Sequence, residues 1–264
     1  MISAKIKYTL LLVLSVISSA ACAQSRFKKG DEFQRQVSTK SNCVLQRGSQ
    51  TLHVSSSSVL VKAYKVTDVT DREASFSITT ERLVDTIKAM NQDLVYTSAK
   101  AADPNSPIQT GLQKMVSGQS VVSVNNKAEI LTVKRQSAVN DTLLSFAGIQ
   151  PERFVKGTTL QFMVDFPVNP TFKKGYTWKE TTPTAETVYT IYAINARTTT
   201  ITYKTSVLGG NLNSRVNGSM LISNDTGIIM KRYSQSVSTG YEMVNGIVYT
   251  ATRRTAITEV NTRK

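Results

Sequence analysis

From Gln24 onward, apolar and polar residues alternate in short runs dominated by threonine, serine, valine and tyrosine. The clearest runs are VLVKAYKVTDV (59–69), ASFSITTERL (74–83), VVSVNNKAEILTV (121–133) and TVYTIYAI (187–194). The series continues through 198–208, 218–224, 227–237 and 247–260. A period of two sends successive side chains to opposite faces of a strand, and β-branched residues suit that pleated surface. Such a chain is expected to form half-buried antiparallel strands, with one face on a core and one in water. Turn signals separate the runs at Asn224-Asp225-Thr226-Gly227, Asn245-Gly246 and Gly209-Gly210-Asn211.

Two stretches break the alternation. In 106–118, Ile108, Leu112, Met115 and Val116 recur at helical spacing, with Pro107 suited to the first turn and Gly118 to the end. In 137–149, Val139, Leu143, Leu144, Phe146 and Ala147 cluster ahead of Gly148 and Pro151. Both stretches read as short helices laid against a sheet.

The phrase FKKGDEF (27–33) returns as FKKGYTW (172–178), 145 residues later. Downstream, YKVTDVTDREASFSITTE (64–81) resembles YTIYAINARTTTITYKTS (189–206). In that alignment Tyr64 matches Tyr189, Val66 Ile191, Val69 Ile194, Arg72 Arg197 and Ile78 Tyr203. Further on, VVSVNNKAEILTVKR (121–135) has the same apolar-turn-apolar shape as MLISNDTGIIMKRY (220–233). Each Lys-Lys-Gly is then a charged turn leading into a strand, the glycine supplying a backbone angle that other residues avoid. The fold class expected is mainly β (α+β): a curved antiparallel sheet or incompletely closed barrel from two related β units, with two short helices packed on one face. The organisation expected is a signal peptide over 1–23 and one mature domain over 24–264. Unit one spans 24–135, a helical insertion lies within 106–149, and unit two spans 172–264.

The first residues, MISAKIKYTLLLVLSVISSAACAQS, run from a basic start at Lys5 and Lys7 through an apolar stretch, 10–17, to small residues. That order reads as an export signal, and its apolar run falls short of the about 20 residues needed to span a bilayer. Two processing outcomes stand open. Ala21-Cys22-Ala23 fits cleavage before Gln24, whereas Ser19-Ala20-Ala21-Cys22 resembles a bacterial lipobox that would make Cys22 a lipidated N-terminus. Loss of 1–23 removes two lysines and no acid, so the net charge falls from +14 to +12. Cys43 is then the sole cysteine, which excludes an internal disulfide. The localisation expected is the periplasm or the cell surface, with no transmembrane anchor after signal removal.

The export signal, the KKGD turn (28–31), VYTSAKAADPNSP (95–107), KKGYTWKE (173–180) and NDTGIIMK (224–231) form one set. Together they resemble an uncharacterised family of exported Bacteroidota proteins, domain of unknown function 6263, over nearly all of the mature chain. The first unit departs from that pattern, because NNKAEI (125–130) stands where a turn glycine is expected. Chains of this kind are similar, at the level of fold, to periplasmic half-barrels that carry lipoproteins or lipids.

Recognisable catalytic and metal-binding patterns are absent. His53 is the sole histidine, and it alternates with Leu52 and Val54 on the polar side of a strand. The stretches DVTD (68–71) and NDTG (224–227) fall short of a calcium loop and read as turns. No catalytic residue, metal site or cofactor is therefore assigned. Asp-Thr-apolar triplets make Thr86 and Thr142 candidate O-glycosylation sites, by resemblance to a Bacteroidota acceptor pattern.

The expected role is a non-catalytic envelope protein binding a lipid or other apolar small molecule. Leu112, Met115, Val116, Leu143, Leu144 and Phe146 are the candidate lining residues; the same side chains would serve an ordinary core. An alternative is an interaction module whose basic surface holds an anionic envelope polymer or membrane; a third is an enzyme of unrecognised type. Nucleic acid is not an expected partner. A cavity of acyl-chain size would favour the first reading, a contiguous basic face the second, and a cleft with His53 or two close carboxylates the third.

Overall fold

The computed structural model describes residues 27–89, 92–136, 148–149, 152–164, 172–208, 210–244 and 246–264. Among them, strands are β1 (Glu32–Arg47), β2 (Gln50–Val69), β3 (Glu73–Ala89), β4 (Gln92–Thr97), β5 (Gln119–Asn125) and β6 (Ile130–Arg135). The second set is β7 (Thr177–Thr181), β8 (Ala185–Ile194), β9 (Thr198–Val207), β10 (Leu212–Ser223), β11 (Ile229–Val244) and β12 (Ile247–Arg263). One helix, α1 (Pro107–Val116), lies between β4 and β5. Every pairing is antiparallel. The sheet order is β6-β5-β3-β2-β1-β12-β11-β10-β9-β8-β7, with β4 added beside β3. The sheet is a single open, curved one. Its seam is the pairing of the first and last strands, from Phe33 opposite Arg263 to Gln46 opposite Thr250.

The two units share their hydrogen bonds. In the first, Gly30 N donates to Val66 O (2.9 Å), Asp31 N to Lys28 O (2.9 Å) and Val66 N to Asp31 O (2.8 Å). In the second, Gly175 N donates to Ile191 O (2.8 Å), Tyr176 N to Lys173 O (3.0 Å) and Ile191 N to Tyr176 O (2.9 Å). Gly30 and Gly175 take φ of 91° and 87°, the left-handed region that glycine enters without a steric penalty. Both units kink next, with register shifts between Val66 and Asp68 and between Ile191 and Ala193. The following turns match as well: Thr70 N donates to Glu73 O, and Asn195 N to Thr198 O. Thus β1, β2, β3, β5 and β6 correspond to β7, β8, β9, β10 and β11, in the same order across the sheet. Ala128, in place of the expected glycine, holds φ 63°, and its counterpart Gly227 holds φ 69°.

Residues 152–164 form a strap that touches both units in the same way. Leu160 N donates to Ala128 O (3.0 Å), and Val164 N to Gly227 O (2.9 Å). Ile130 N donates to Thr158 O (2.7 Å), and Ile229 N to Phe162 O (2.9 Å). A buried ion network fastens the strap to the seam. Glu152 accepts from Arg35 (2.9 Å), Lys62 (2.8 Å) and the Tyr64 hydroxyl (2.6 Å), while Arg35 also donates to Glu259 (3.0 Å). Burial raises the Glu152 carboxyl, but Lys62 and Arg35 outweigh it and hold the group below its ordinary value.

Of the two helices expected from the sequence, the described residues contain the first. α1 forms with Ser106 as its N-cap and Pro107 in the first turn. The second expected helix lies outside the described residues, apart from Gly148 and Ile149, which are not helical.

The candidate ligand cavity of the second unit

The inward side chains of the two units can be compared pair by pair. In the first, Phe33 stands opposite Tyr64, Tyr64 opposite Ile78, and Phe76 opposite Val122. In the second, Trp178 stands opposite Tyr189, Tyr189 opposite Tyr203, and Ile201 opposite Met220. The strap closes the first set: Phe162 lies 4.6 Å from Tyr64 and 5.6 Å from Phe33, ring centre to ring centre. Phe154 and Leu160 join it, and the whole cluster is buried.

The second set faces open space. A cavity of about 550 Å³ is lined by Thr159, Met163 and Val164 of the strap and Phe172 and Tyr176 ahead of β7. Trp178, Glu180, Tyr189, Ile201, Met220 and Ile222 of the sheet complete the wall. Its floor is aliphatic and firmly packed, since Ile201 and Ile222 are buried. Its wall is a row of near-parallel rings, with Trp178 stacked on Tyr189 at 4.9 Å and on Tyr176 at 6.1 Å. The Tyr203 ring continues the row, 6.1 Å from Tyr189, and lies over Gly218 where a Cβ would collide with it. Glu180 is the one charged residue of the lining. Burial and this carboxylate push the Tyr189 phenol up to about 12. An aromatic and aliphatic wall with one carboxylate and a few hydroxyl groups can take apolar matter from water and orient it by a hydrogen bond.

Of the lining residues expected from the sequence, the three that are described pack in a core. Leu112 is buried against Leu60, Leu83, Ile87 and Tyr96, and Met115 and Val116 pack on the same cluster. None of the three lines the cavity just described, nor a smaller one of about 50 Å³ beside Cys43. The reason is amphipathic economy: α1 has a single apolar face, and it is laid on the long β2 and β3 and on β4. Leu143, Leu144 and Phe146 lie outside the described residues, as do Cys22 and Thr142. Thr86 is half-buried in β3, flanked by Ser57 of β2 and Val95 of β4.

His53 is exposed on β2 and lines neither cavity. Glu152 and Glu259 do approach each other, but Arg35 bridges them. Among the described residues no group of three or more His, Cys, Asp or Glu could hold a metal ion. No helix among them is long and apolar enough to cross a membrane.

No family model matches the chain, and no curated protein matches it. A structure solved for lipid–protein interactions in lipovitellin is similar, with a TM-score of 0.52 at 10% identity. That likeness covers 89% of this chain and 25% of that one, so the chain spans about a quarter of lipovitellin's solved length. It is a likeness of fold. An outer membrane channel from Pseudomonas putida F1 has a TM-score of 0.26 at 6% identity, covering 89% of this chain and 97% of that one. A protein of the DUF1329 family from Desulfovibrio piger has a TM-score of 0.16 at 8% identity, covering 91% and 87%.

The cavity residues were half-visible in the sequence. FKKG aligns Phe33 with Trp178, and the next run aligns Tyr64 with Tyr189. Those matches could have marked one inward wall, though not which copy of it stays open.

Proposed function

We propose that the protein is an exported, non-catalytic envelope protein that binds a lipid-like or otherwise apolar ligand in the cavity of its second unit. One observation carries this reading. Trp178, Tyr189, Ile201 and Met220 open onto about 550 Å³, while their counterparts Phe33, Tyr64, Phe76 and Val122 are buried in one cluster with Phe27, Phe154, Leu160 and Phe162. Ligand pockets run to roughly 300–1,000 Å³ and are mostly apolar. The likeness of fold to lipovitellin, a protein solved for its lipid interactions, supports the same direction. Export rests on the first 23 residues of the sequence. The non-catalytic reading is supported by the exposure of His53 and by the cation-paired state of Glu152 and Glu259.

Trp178 is the sole tryptophan, so its emission reports on the cavity directly. Titration with a brominated fatty acid should quench it saturably. Val164→Phe, which adds bulk to the lining, should weaken that binding about tenfold, equivalent to ~1.4 kcal/mol. Native mass spectrometry of protein from its exporting host should show a bound species that denaturation releases. A bare mass together with unsaturable quenching would sink the proposal.

A further inference from the structure

The face of the sheet opposite the cores carries a second pattern. On β11 the outward residues Tyr233, Val237, Tyr241 and Met243 are all exposed, Met243 at 71% and Tyr241 at 60%. Beside them on β12, Val248 is 52% exposed and stands directly opposite Met243. Tyr241, Met243 and Val248 gather at the end where β11 turns into β12, and Val237 and Tyr233 continue the row along β11.

Along the same face, cations flank the rest of the row. Val237 stands between Arg215 of β10 and Arg254 of β12, and Lys231 stands between Leu221 and Val260. Outward positions of β10, β11 and β12, and of residues 34–46 of β1, include Arg215, Lys231, Arg254 and Lys40 and not one acid. The acids of β11 and β12 point to the other face, where Arg253 holds Glu242 and Arg35 holds Glu259. A sheet face with solvent on it needs no Met or Val, and an acid-free stretch this wide lacks the interspersed signs of an ordinary solvated surface.

We propose that this face docks on an anionic phospholipid bilayer. Arg215, Arg254, Lys231 and Lys40 meet the headgroup phosphates, and Tyr241, Met243 and Val248 enter the interfacial layer. Amphipathic rings and apolar tips sit at that depth, and basic side chains add attraction to anionic lipid. A soluble anionic polymer would satisfy the cations but offers nothing apolar to Met243 and Val248, which decides between the two. The inference is independent of what the cavity holds.

The test is co-sedimentation with vesicles, using Cys22→Ala protein so that no attached lipid contributes. Vesicles of phosphatidylethanolamine with phosphatidylglycerol should bind, and vesicles of phosphatidylcholine alone should not. The double variant Arg215→Glu/Arg254→Glu should weaken binding at least about tenfold, since each basic residue near an anionic surface matters severalfold. Met243→Ser/Val248→Ser should weaken it too, and make the remainder more sensitive to salt. All four positions are exposed, so unchanged melting would separate lost docking from lost folding. Equal binding to both vesicle types, or binding indifferent to the arginine pair, would overturn the proposal. So would dextran sulfate binding as tightly as vesicles with no loss in Met243→Ser/Val248→Ser, which would assign the face to a polymer.

Discussion

The two units of this protein have the same backbone and opposite interiors. Gly30, Val66 and Thr70 make the hydrogen bonds that Gly175, Ile191 and Asn195 make again. Yet Phe33 is 2% exposed and Tyr64 fully buried, while Trp178 and Tyr189 are half-exposed around a cavity. The difference comes from the cover. Phe154, Leu160 and Phe162 of the strap fall into the first unit, and only Thr159, Met163 and Val164 edge the second. The first unit also carries the insertion of β4 and α1, and its β3 runs on to Ala89, well past the point matching the end of β9. A repeated strand plan therefore sets a wall, and the material laid against that wall decides whether it becomes core or binding site.

Substitution at matched positions is the most direct way to break this comparison. Phe33→Ala should cost about 3–5 kcal/mol, as a buried aromatic does when its neighbours cannot collapse. Trp178→Ala should cost only about 1 kcal/mol, because the ring is partly solvated already. Urea denaturation of both variants measures the gap. Equal losses would mean that the second unit is as tightly filled as the first.

The extension of β3 gives the next test. Asp85 is fully buried there and its carboxyl oxygens lack a well-formed hydrogen bond. Burial, only partly offset by the Thr86 backbone, pushes the group up to about 7 from 3.8. With its folded value raised, protonated Asp85 gives a contribution that is fully present below pH 3.8 and lost as pH rises through about 7. The loss amounts to roughly 4 kcal/mol by neutrality, at about 1.36 kcal/mol per unit. Glu152 works in reverse. Its value is lowered, so its contribution is present above 4.5 and lost as pH falls through its folded value. Stability should thus peak on the acid side of neutrality. Asp85→Asn should flatten the decline between the unfolded and folded values of Asp85 without moving the acid limb. An unchanged slope over that interval in Asp85→Asn would remove Asp85 as its cause.

The smallest effect concerns the two matched turns. Gly227→Ala should cost about 1 kcal/mol, because a Cβ is strained at φ 69°. Ala128→Gly relieves the same strain at φ 63° but loses a buried methyl group and gains unfolded-state freedom, so it should fall within about 0.5 kcal/mol of neutral. Thermal melts of the pair would show whether the strap holds both turns equally hard.

Local signals were legible where local forces act. The period of two exposed the strands, and the FKKG phrase exposed the repeat because a lysine-lysine-glycine turn must meet the same backbone demand in both places. Pro107 and the spacing of Ile108, Leu112, Met115 and Val116 announced α1 through groups within a few turns of each other. The alignment of Val66 with Ile191 reappears as identical hydrogen bonds to Gly30 and Gly175. Lining residues were another matter. Leu112, Met115 and Val116 carry the same apolar pattern whether they face a cavity or a core, so nothing in that pattern separates the two.

By itself, then, the chain's order of residues determined alternation, turns, one capped helix and a twofold plan, all set by interactions between residues a few positions apart. Tertiary structure alone decided the seam of β1 with β12, the bridge from Arg35 to Glu152 and Glu259 across 117 and 224 positions, and the cavity beside Trp178. The physical reason is that burial belongs to pairs of surfaces. Phe33 and Trp178 occupy the same place in the same repeated wall, and among the described residues it is the cover of strap and Phe27 that makes one of them core and leaves the other open.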